Sequence, residues 1–432
     1  MAVRLAQRTG PKASLVIRGA RVLDPAAGID EVRDLVVRDG VIGGDASGLE
    51  EIDGAGLLAL PGFVDPHVHL RTPGREDLET IATGTLAAAS GGFVTIVSMP
   101  NTVPVIDTAP VLSALLDQGD LDAVIRVGFY AAITVGQSGN ELTEQAELAE
   151  VGAAGFSDDG YPVSDARVMR RALQYQQITG LPLVLHEEDR HLSGRGVVHE
   201  GAVASRLGLE GIPAVSESIA VARDAALAEY ENAHIHICHV SAAQTVEEIR
   251  RAKQRGIRIT GEVTPHHLAL TDDAIVSLDP SRHKMNPPLR EESDRQSLIA
   301  ALIDGTLDCV ATDHAPHAAD EKEVPFEEAP FGVTGLETAF PVCFTRLVRP
   351  GLVPLEVLVR RMSTDAATAV SLPVPTLADG AVADVALVDP EATFVVGADG
   401  FRSKSRNSSF TGEELHGRIT LTIAGGQIAW RI

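Results

Sequence analysis

Between residues 61 and 372 the chain alternates short apolar runs with longer amphipathic stretches, and no other feature restricts the fold as much. Strand-like runs recur at 62–67, 92–98, 125–131, 154–157, 183–186, 234–239, 258–263 and 308–312. Helical patterns lie between them. One covers 166–178, with Ser164 and Asp165 as cap candidates and Gly180 and Pro182 as the stop. Another covers 241–255, with Val246 and Ile249 on one side, Glu247 four residues before Arg251, and Gly256 behind it. Strands alternating with helices imply parallel pairing. Eight such units over about 300 residues predict an α/β fold of the TIM type, a (β/α)8 barrel. A doubly wound open sheet is the alternative, weakened because no glycine-rich nucleotide fingerprint opens any unit. Short apolar runs separated by turn signals at both ends of the chain (14–19, 34–40, 383–388, 394–396, 418–423) predict a small β-sandwich domain made from both termini. The expected division is 1–60 and 373–432 for that domain and 61–372 for the barrel.

In a barrel of this kind chemistry gathers where strands end and βα loops begin. Metal-capable side chains occur at those addresses. The first run closes on Asp65-Pro66-His67-Val68-His69, which puts His67 and His69 on one face of a strand. Asp158 and Asp159 follow the fourth run, His186 closes the fifth, His239 the sixth and Asp313 the eighth. A single His-x-His pair is no more than even odds for a metal, but five coincidences at one edge make a metal-free barrel hard to defend. Four histidines and two carboxylates exceed the four ligands of one tetrahedral zinc and suit two cations with a carboxylate between them. Two cations about 3.5–4 Å apart share a water and lower its pKa, so the reaction class is hydrolysis of an amide or the reverse condensation.

Composition narrows the partners. Sixty acidic against 36 basic residues give a net charge of −24, which argues against nucleic acid and anionic membranes. No apolar stretch approaches the roughly 20 residues that span a bilayer. Residues 1–12 are basic but lack the apolar core of a signal peptide. Cys238, Cys309 and Cys343 are odd in number and sit in apolar runs, as buried thiols of a reducing compartment do, so a cytoplasmic protein is expected.

Five segments carry a resemblance. Asp65 through Gly74 (DPHVHLRTPG), Ser98-Met99-Pro100-Asn101-Thr102, Phe156-Ser157-Asp158-Asp159-Gly160, Asn286-Pro287-Pro288 and Thr312 through His317 (TDHAPH) resemble the amidohydrolase superfamily and, within it, the bacterial class I dihydroorotases. The resemblance runs from about Leu15 to Trp430. It implies reversible cyclisation of N-carbamoyl-L-aspartate to L-dihydroorotate with two zinc ions per subunit. By motif position His67, His69 and Asp313 resemble ligands of the first zinc and His186 and His239 those of the second, with Asp159 as the bridge. Asp158 is read as a cap or hydrogen-bond acceptor. Many relatives bridge with a carbamylated lysine, yet no lysine occurs between Lys12 and Lys253. Asp313 matches the general acid/base. Arg71 is expected to grip the substrate carboxylate, the alternative being a surface pair with Glu76 or Asp77. His69, Asn101, Asn286, His317, Phe331 and Gly332 match further substrate contacts, and the acidic segment 318–330 is expected to be a mobile lid rather than packed structure. His234, His236, His266, His267, His314 and Cys238 are expected to pack or support, not to ligate. The resemblance is compatible with a homo-oligomer and with association with aspartate carbamoyltransferase. The alternatives are another cyclic-amide hydrolase, of the allantoinase or hydantoinase type, and a non-catalytic partner of that transferase, whose mark would be a degraded site.

Overall fold

The computed structural model describes residues 3–432; Met1 and Ala2, the start of the segment weighed as a leader, lie outside it. Two parallel sheets occupy the middle of the chain. One is built from Phe63–Val68, Phe93–Ser98 and Arg126–Phe129, the other from Leu183–Leu185, His234–Ile237, Arg258–Val263 and Cys309–Val310. Single parallel bridges link their edges. Phe156 pairs with both Ala131 and Leu183 on one side, and Val68 pairs with His314 on the other. The strand expected at 154–157 is a short one: Ala154 and Ser157 N–H donate to the carbonyls of Phe129 and Ala131 at 2.9 Å each, Phe156 N–H donates to that of Pro182 at 3.1 Å, and Val184 N–H donates to that of Phe156 at 2.8 Å.

The helices fall where the periodicity puts them. Ala166–Thr179 starts on Asp165, whose carboxylate accepts from the backbone N–H groups of Arg167 and Val168, and ends at Gly180 with a left-handed φ of 71°. Ala243–Gln254 buries Val246 and Ile249 and carries the Glu247–Arg251 pair at 2.8 Å. It starts two residues later than expected because the N–H groups of Ser241 and Ala242 donate to the buried Glu217 carboxylate, each at 3.1 Å. Phe63–Val68 and Phe93–Ser98 are buried along their whole length, as strands covered on both faces are.

Both ends of the chain meet in one eight-stranded sheet, in place of the two sheets of a sandwich. Leu58–Pro61 runs antiparallel to Val385–Val395 and joins the N-terminal strands to the C-terminal ones. Period-two alternation divides the sheet between two cores. Ala59, Val385 and Leu387 pack with Leu15, Ile17, Leu35 and Leu421 in a cluster of their own, whereas Leu60, Ala386 and Val388 join the large central core. The first residues leave this unit. Ala6 exchanges both backbone hydrogen bonds with Val127, at 2.9 Å each, so the segment expected in the small domain lies along a parallel strand of the middle unit. Among the described residues no helix is long and apolar enough to cross a membrane.

Candidate metal centre and active site

The strand ends deliver six metal-capable side chains to one buried point. His67 belongs to the first parallel strand and His69 follows it. His186, His239 and Asp313 each lie just beyond the end of their strands, and Asp159 three residues after Phe156. Asp65 ties two of these ends together, accepting from the N–H of His67 at 3.0 Å and that of Thr312 at 3.2 Å. Burial pushes its carboxyl up to about 7. Three residues here hold a left-handed backbone that side chains rarely adopt: Arg71 (φ 58°), His239 (φ 31°) and Asp313 (φ 47°). Such strain persists where the surroundings over-determine it, and it concentrates at functional sites.

Asp159 is the hub. Its Oδ1 faces His67 Nε2 at 3.6 Å, His186 Nδ1 at 3.5 Å and His239 Nε2 at 3.7 Å, and its Oδ2 faces His69 Nε2 at 3.5 Å. Asp313 Oδ1 lies 3.0 Å from His69 Nε2 and 3.4 Å from His67 Nε2. The inward Nε2 of His67 and Oδ1 of Asp159 are buried without a hydrogen-bond partner. Buried polar atoms left so are costly unless something else satisfies them, and imidazole and carboxylate lone pairs converging on one point suit a cation. The outward ring nitrogens are held as metal-binding histidines require. His67 Nδ1 is 2.6 Å from Glu262, His69 Nδ1 is 2.9 Å from Asn101 Oδ1, and His186 Nε2 is 3.5 Å from Glu188. The charge balance agrees. Burial disfavours the carboxylates, but His67 and the other histidines outweigh it and hold Asp159 well below its ordinary range and Asp313 down at about 2. Burial likewise works against a charged His67, yet Glu262 and the acids behind it raise its proton affinity well above normal. This is a centre short of positive charge.

A cavity of about 490 Å³ opens above it, within the range of small-molecule sites. Arg71, Asn101, Asn286, His317, Phe331 and Gly332 all line it. The surface pairing weighed for Arg71 does not occur: Asp77 pairs with Arg75 instead. Arg71 Nε donates to the carbonyl of Pro316 at 3.2 Å, and Nη2 lies 3.4 Å from His317 Nε2. Burial and then the Arg71 charge push His317 down to about 3, so its ring is neutral, with Nε2 2.8 Å from the Phe331 carbonyl. Gly332 has to be glycine. Its φ is 131°, and a Cβ there would meet Ala315 Cβ at 2.6 Å and His317 Nε2 at 3.0 Å.

Segment 318–330 departs from the expected mobile lid. Phe326 is 1% exposed in a cluster with Val197, Val203 and Ile275, and Lys322 is 3% exposed. Lys322 Nζ donates to the carbonyl of Pro330 at 2.7 Å, and Lys284 Nζ to those of Phe326 at 2.5 Å and Glu327 at 3.1 Å. The acidic surface of the segment hides a buried apolar and cationic underside.

Asp158 accepts from the N–H groups of Ile133 (2.8 Å) and Thr134 (3.1 Å), a purely structural anchor. His314 turns from the cavity to Glu79 at 3.3 Å, and His267 bonds Thr264 and the Pro287 carbonyl. Glu262 was missed. Its buried carboxylate also meets His236 Nε2 at 3.0 Å and the His239 N–H at 3.1 Å. A lone acid among the buried residues of the strand Arg258–Val263 was the available signal. Glu188 and Arg190, which line the cavity, were missed too, with Arg190 over the Tyr161 ring at 5.0 Å.

Comparison with known proteins follows the same lines. Residues 56–245 match the family model described as dihydro-orotase-like. Over 421 residues the chain is 49% identical to a protein named dihydroorotase from Anaeromyxobacter sp. (strain K), covering 96% of this chain and 97% of the relative. A dihydroorotase of Geobacter metallireducens is 45% identical, covering 97% of this chain and all of the relative. Among solved structures, the L-hydantoinase (dihydropyrimidinase) of Arthrobacter aurescens superposes with a TM-score of 0.85 at 25% identity, over 96% of both chains. A dihydropyrimidinase from Brevibacillus agri gives 0.83 at 24% identity over 97% of this chain and 95% of that one, a likeness of fold alone.

Proposed function

The chain belongs to the dihydroorotase family of the amidohydrolase superfamily, and from that premise we propose that it catalyses the reaction its relatives are named for. It is a dihydroorotase, an enzyme that closes N-carbamoyl-L-aspartate to L-dihydroorotate with release of water and runs the reverse hydrolysis. The observation that carries this reading is identity of 45–49% across nearly the whole chain, joined to an unbroken set of six metal-facing side chains. That unbroken set favours an enzyme over a non-catalytic partner. Arg71 and the absence of a lysine from the Asp159 region favour a carboxylate-bearing ring over hydantoin-type substrates.

His67, His69 and Asp313 would hold one zinc ion, His186 and His239 a second, with Asp159 across both; the imidazole and carboxylate donors support zinc. When bound, the ions acidify water and draw charge from the amide oxygen. The chain supplies the rest. Asp313 takes the proton released in hydrolysis and hands it to the ring nitrogen; in cyclisation it takes the proton from the ureido nitrogen. Arg71 grips the α-carboxylate, Asn101 and Asn286 meet the amide edges, and neutral His317 with the backbone of Phe331 and Gly332 closes the far side. The two parallel sheets, bridged through Phe156 and through Val68–His314, are read as the staves of one (β/α)8 barrel over 61–372, with 1–60 and 373–432 as the small β domain. Three free, buried cysteines fit a cytoplasmic setting. Association with aspartate carbamoyltransferase or with a second copy is carried by the family resemblance alone.

The deciding experiment assays purified protein in both directions alongside metal analysis. Turnover with bound metal is expected. Near-zero metal with no turnover, even after zinc is added, would overturn the reading.

A further inference from the structure

The segment 403–410 (SKSRNSSF) leaves the terminal sheet and runs to the cavity wall, and none of its residues has a role in the reading above. It is fixed at both ends. Ser403 Oγ donates to Glu79, Ser405 Oγ donates to the carbonyl of Leu78 at 2.9 Å, and Phe410 packs in a cluster with Val342, Val396 and Leu415. Between these anchors Asn407 is 7% exposed, and its amide is used at three points. Nδ2 donates to the carbonyls of Ala315 at 3.2 Å and Gly332 at 3.1 Å, and Oδ1 accepts from the N–H of His317 at 3.3 Å. Its own carbonyl accepts from Thr334 N–H at 3.1 Å.

Those partners have a consequence for Arg71. Ala315 and His317 bracket Pro316, and the Pro316 carbonyl is what holds Arg71 Nε. His317 Nε2 is what Arg71 Nη2 faces. Gly332 is the other backbone strand of the same wall. A primary amide is the side chain that can donate to two carbonyls and accept from one N–H at the same time. We infer that Asn407 is a positioning residue for substrate binding: it locks the 315–317 and 331–332 backbones together and so aims the Arg71 guanidinium at the substrate carboxylate. The inference rests on the assignment of Arg71 above.

The test is a double-mutant cycle on the metal-loaded enzyme, reading KM and kcat for L-dihydroorotate in wild type, Asn407→Ala, Arg71→Ala and the double variant. Asn407→Ala should raise KM about tenfold while kcat stays within about threefold, the scale of losing two or three such bonds. Arg71→Ala should raise it about a hundredfold. The double variant should match Arg71→Ala within about twofold, because there is no longer a guanidinium to aim. If Asn407→Ala is poorly soluble, Asn407→Ser, which keeps a hydroxyl donor, is read in its place with the same pattern and a smaller rise. Effects that multiply in the double variant, or a fall in kcat with KM unchanged, would overturn the inference and leave Arg71 standing. An unchanged KM in Arg71→Ala would instead overturn the assignment of Arg71, and this inference with it.

Discussion

The floor of the cavity and its outer wall are built from opposite materials. At the floor, Asp159, Asp313 and Glu262 crowd around imidazoles, and the carboxylates outnumber the cations available to them. At the wall Arg71 faces the cavity, with Lys284 and Lys322 buried behind it; none has a carboxylate at ion-pair distance among the described residues, and their donors end on backbone carbonyls of Pro316, Phe326, Glu327 and Pro330. A centre short of positive charge attracts metal; a wall with spare positive charge attracts an anion. The contrast teaches how one pocket handles a substrate that carries both an amide to be opened and a carboxylate to be held.

The largest effect should come from the floor. Asp313→Asn removes the proposed proton acceptor and the charge of the oxygen facing His67 and His69 while keeping the shape, and turnover should fall by about 10³-fold or more in both directions. The thermal midpoint should move by no more than a few degrees, since Asp313 already strains the backbone at φ 47°. Retention of a tenth of the activity would remove Asp313 from the chemistry and erase the distinction between floor and wall. Arg71→Ala comes next and should act on the wall alone. KM for L-dihydroorotate should rise about a hundredfold, the value of a desolvated guanidinium–carboxylate pair, with metal content unchanged. A parallel loss of bound metal would mean that the two regions are one unit.

How much of this could be read from the sequence follows the same division. The floor was legible because its chemistry sits in titratable side chains at strand ends, where the alternation of apolar runs gives an address to His67, His69, His186, His239 and Asp313. Its gaps were Glu262, an acid inside a strand-like run, and Glu188, which meets His186 from just beyond its strand. The strand expected at 154–157 is there as a short segment bonded to both neighbours through Phe156, and Asp158 just beyond it anchors the N–H groups of Ile133 and Thr134, about 25 residues away. The wall was legible only where motif positions marked it: Arg71, His317, Phe331 and Gly332 were expected and line the cavity. Its bonds end on carbonyls that carry no residue identity, so nothing marked Lys284, Lys322 or Asn407. The acidic surface of 318–330 suggested a mobile lid, while Phe326 and Lys322 bury its underside. Sequence reports side-chain chemistry at predictable places; it is silent where distant backbone segments supply the partners.

Glu262→Gln probes the missing piece of the floor. Glutamine keeps the volume but removes the charge that fixes His67 through its Nδ1 at 2.6 Å. Zinc affinity, measured by competition with a chelator, should weaken about ten- to a hundredfold, with KM for substrate unchanged once metal is restored. An unaltered affinity would mean that His67 is oriented by its strand alone.

The smallest effect tests whether the cations of the wall are as poorly paired as their geometry suggests. Burial, with Lys284 and Arg71 adding to it, pulls the Lys322 ammonium from its ordinary 10.5 down to about 7. Between pH 7 and 10.5 the unfolded chain therefore holds a proton that the folded one has released. Stability should climb with pH across that window, and the contribution is lost as pH falls toward 7. One proton sets a ceiling of about 1.4 kcal/mol per pH unit, a degree or two in the melting temperature of a chain this long. Lys322→Met keeps the length and removes the titration, so the gap between wild-type and variant melting curves should widen in favour of wild type from pH 7 to pH 9. Curves that stay parallel would show the ammonium fully stabilised by its carbonyls, and the wall would then be a neutral scaffold around a single working cation, Arg71.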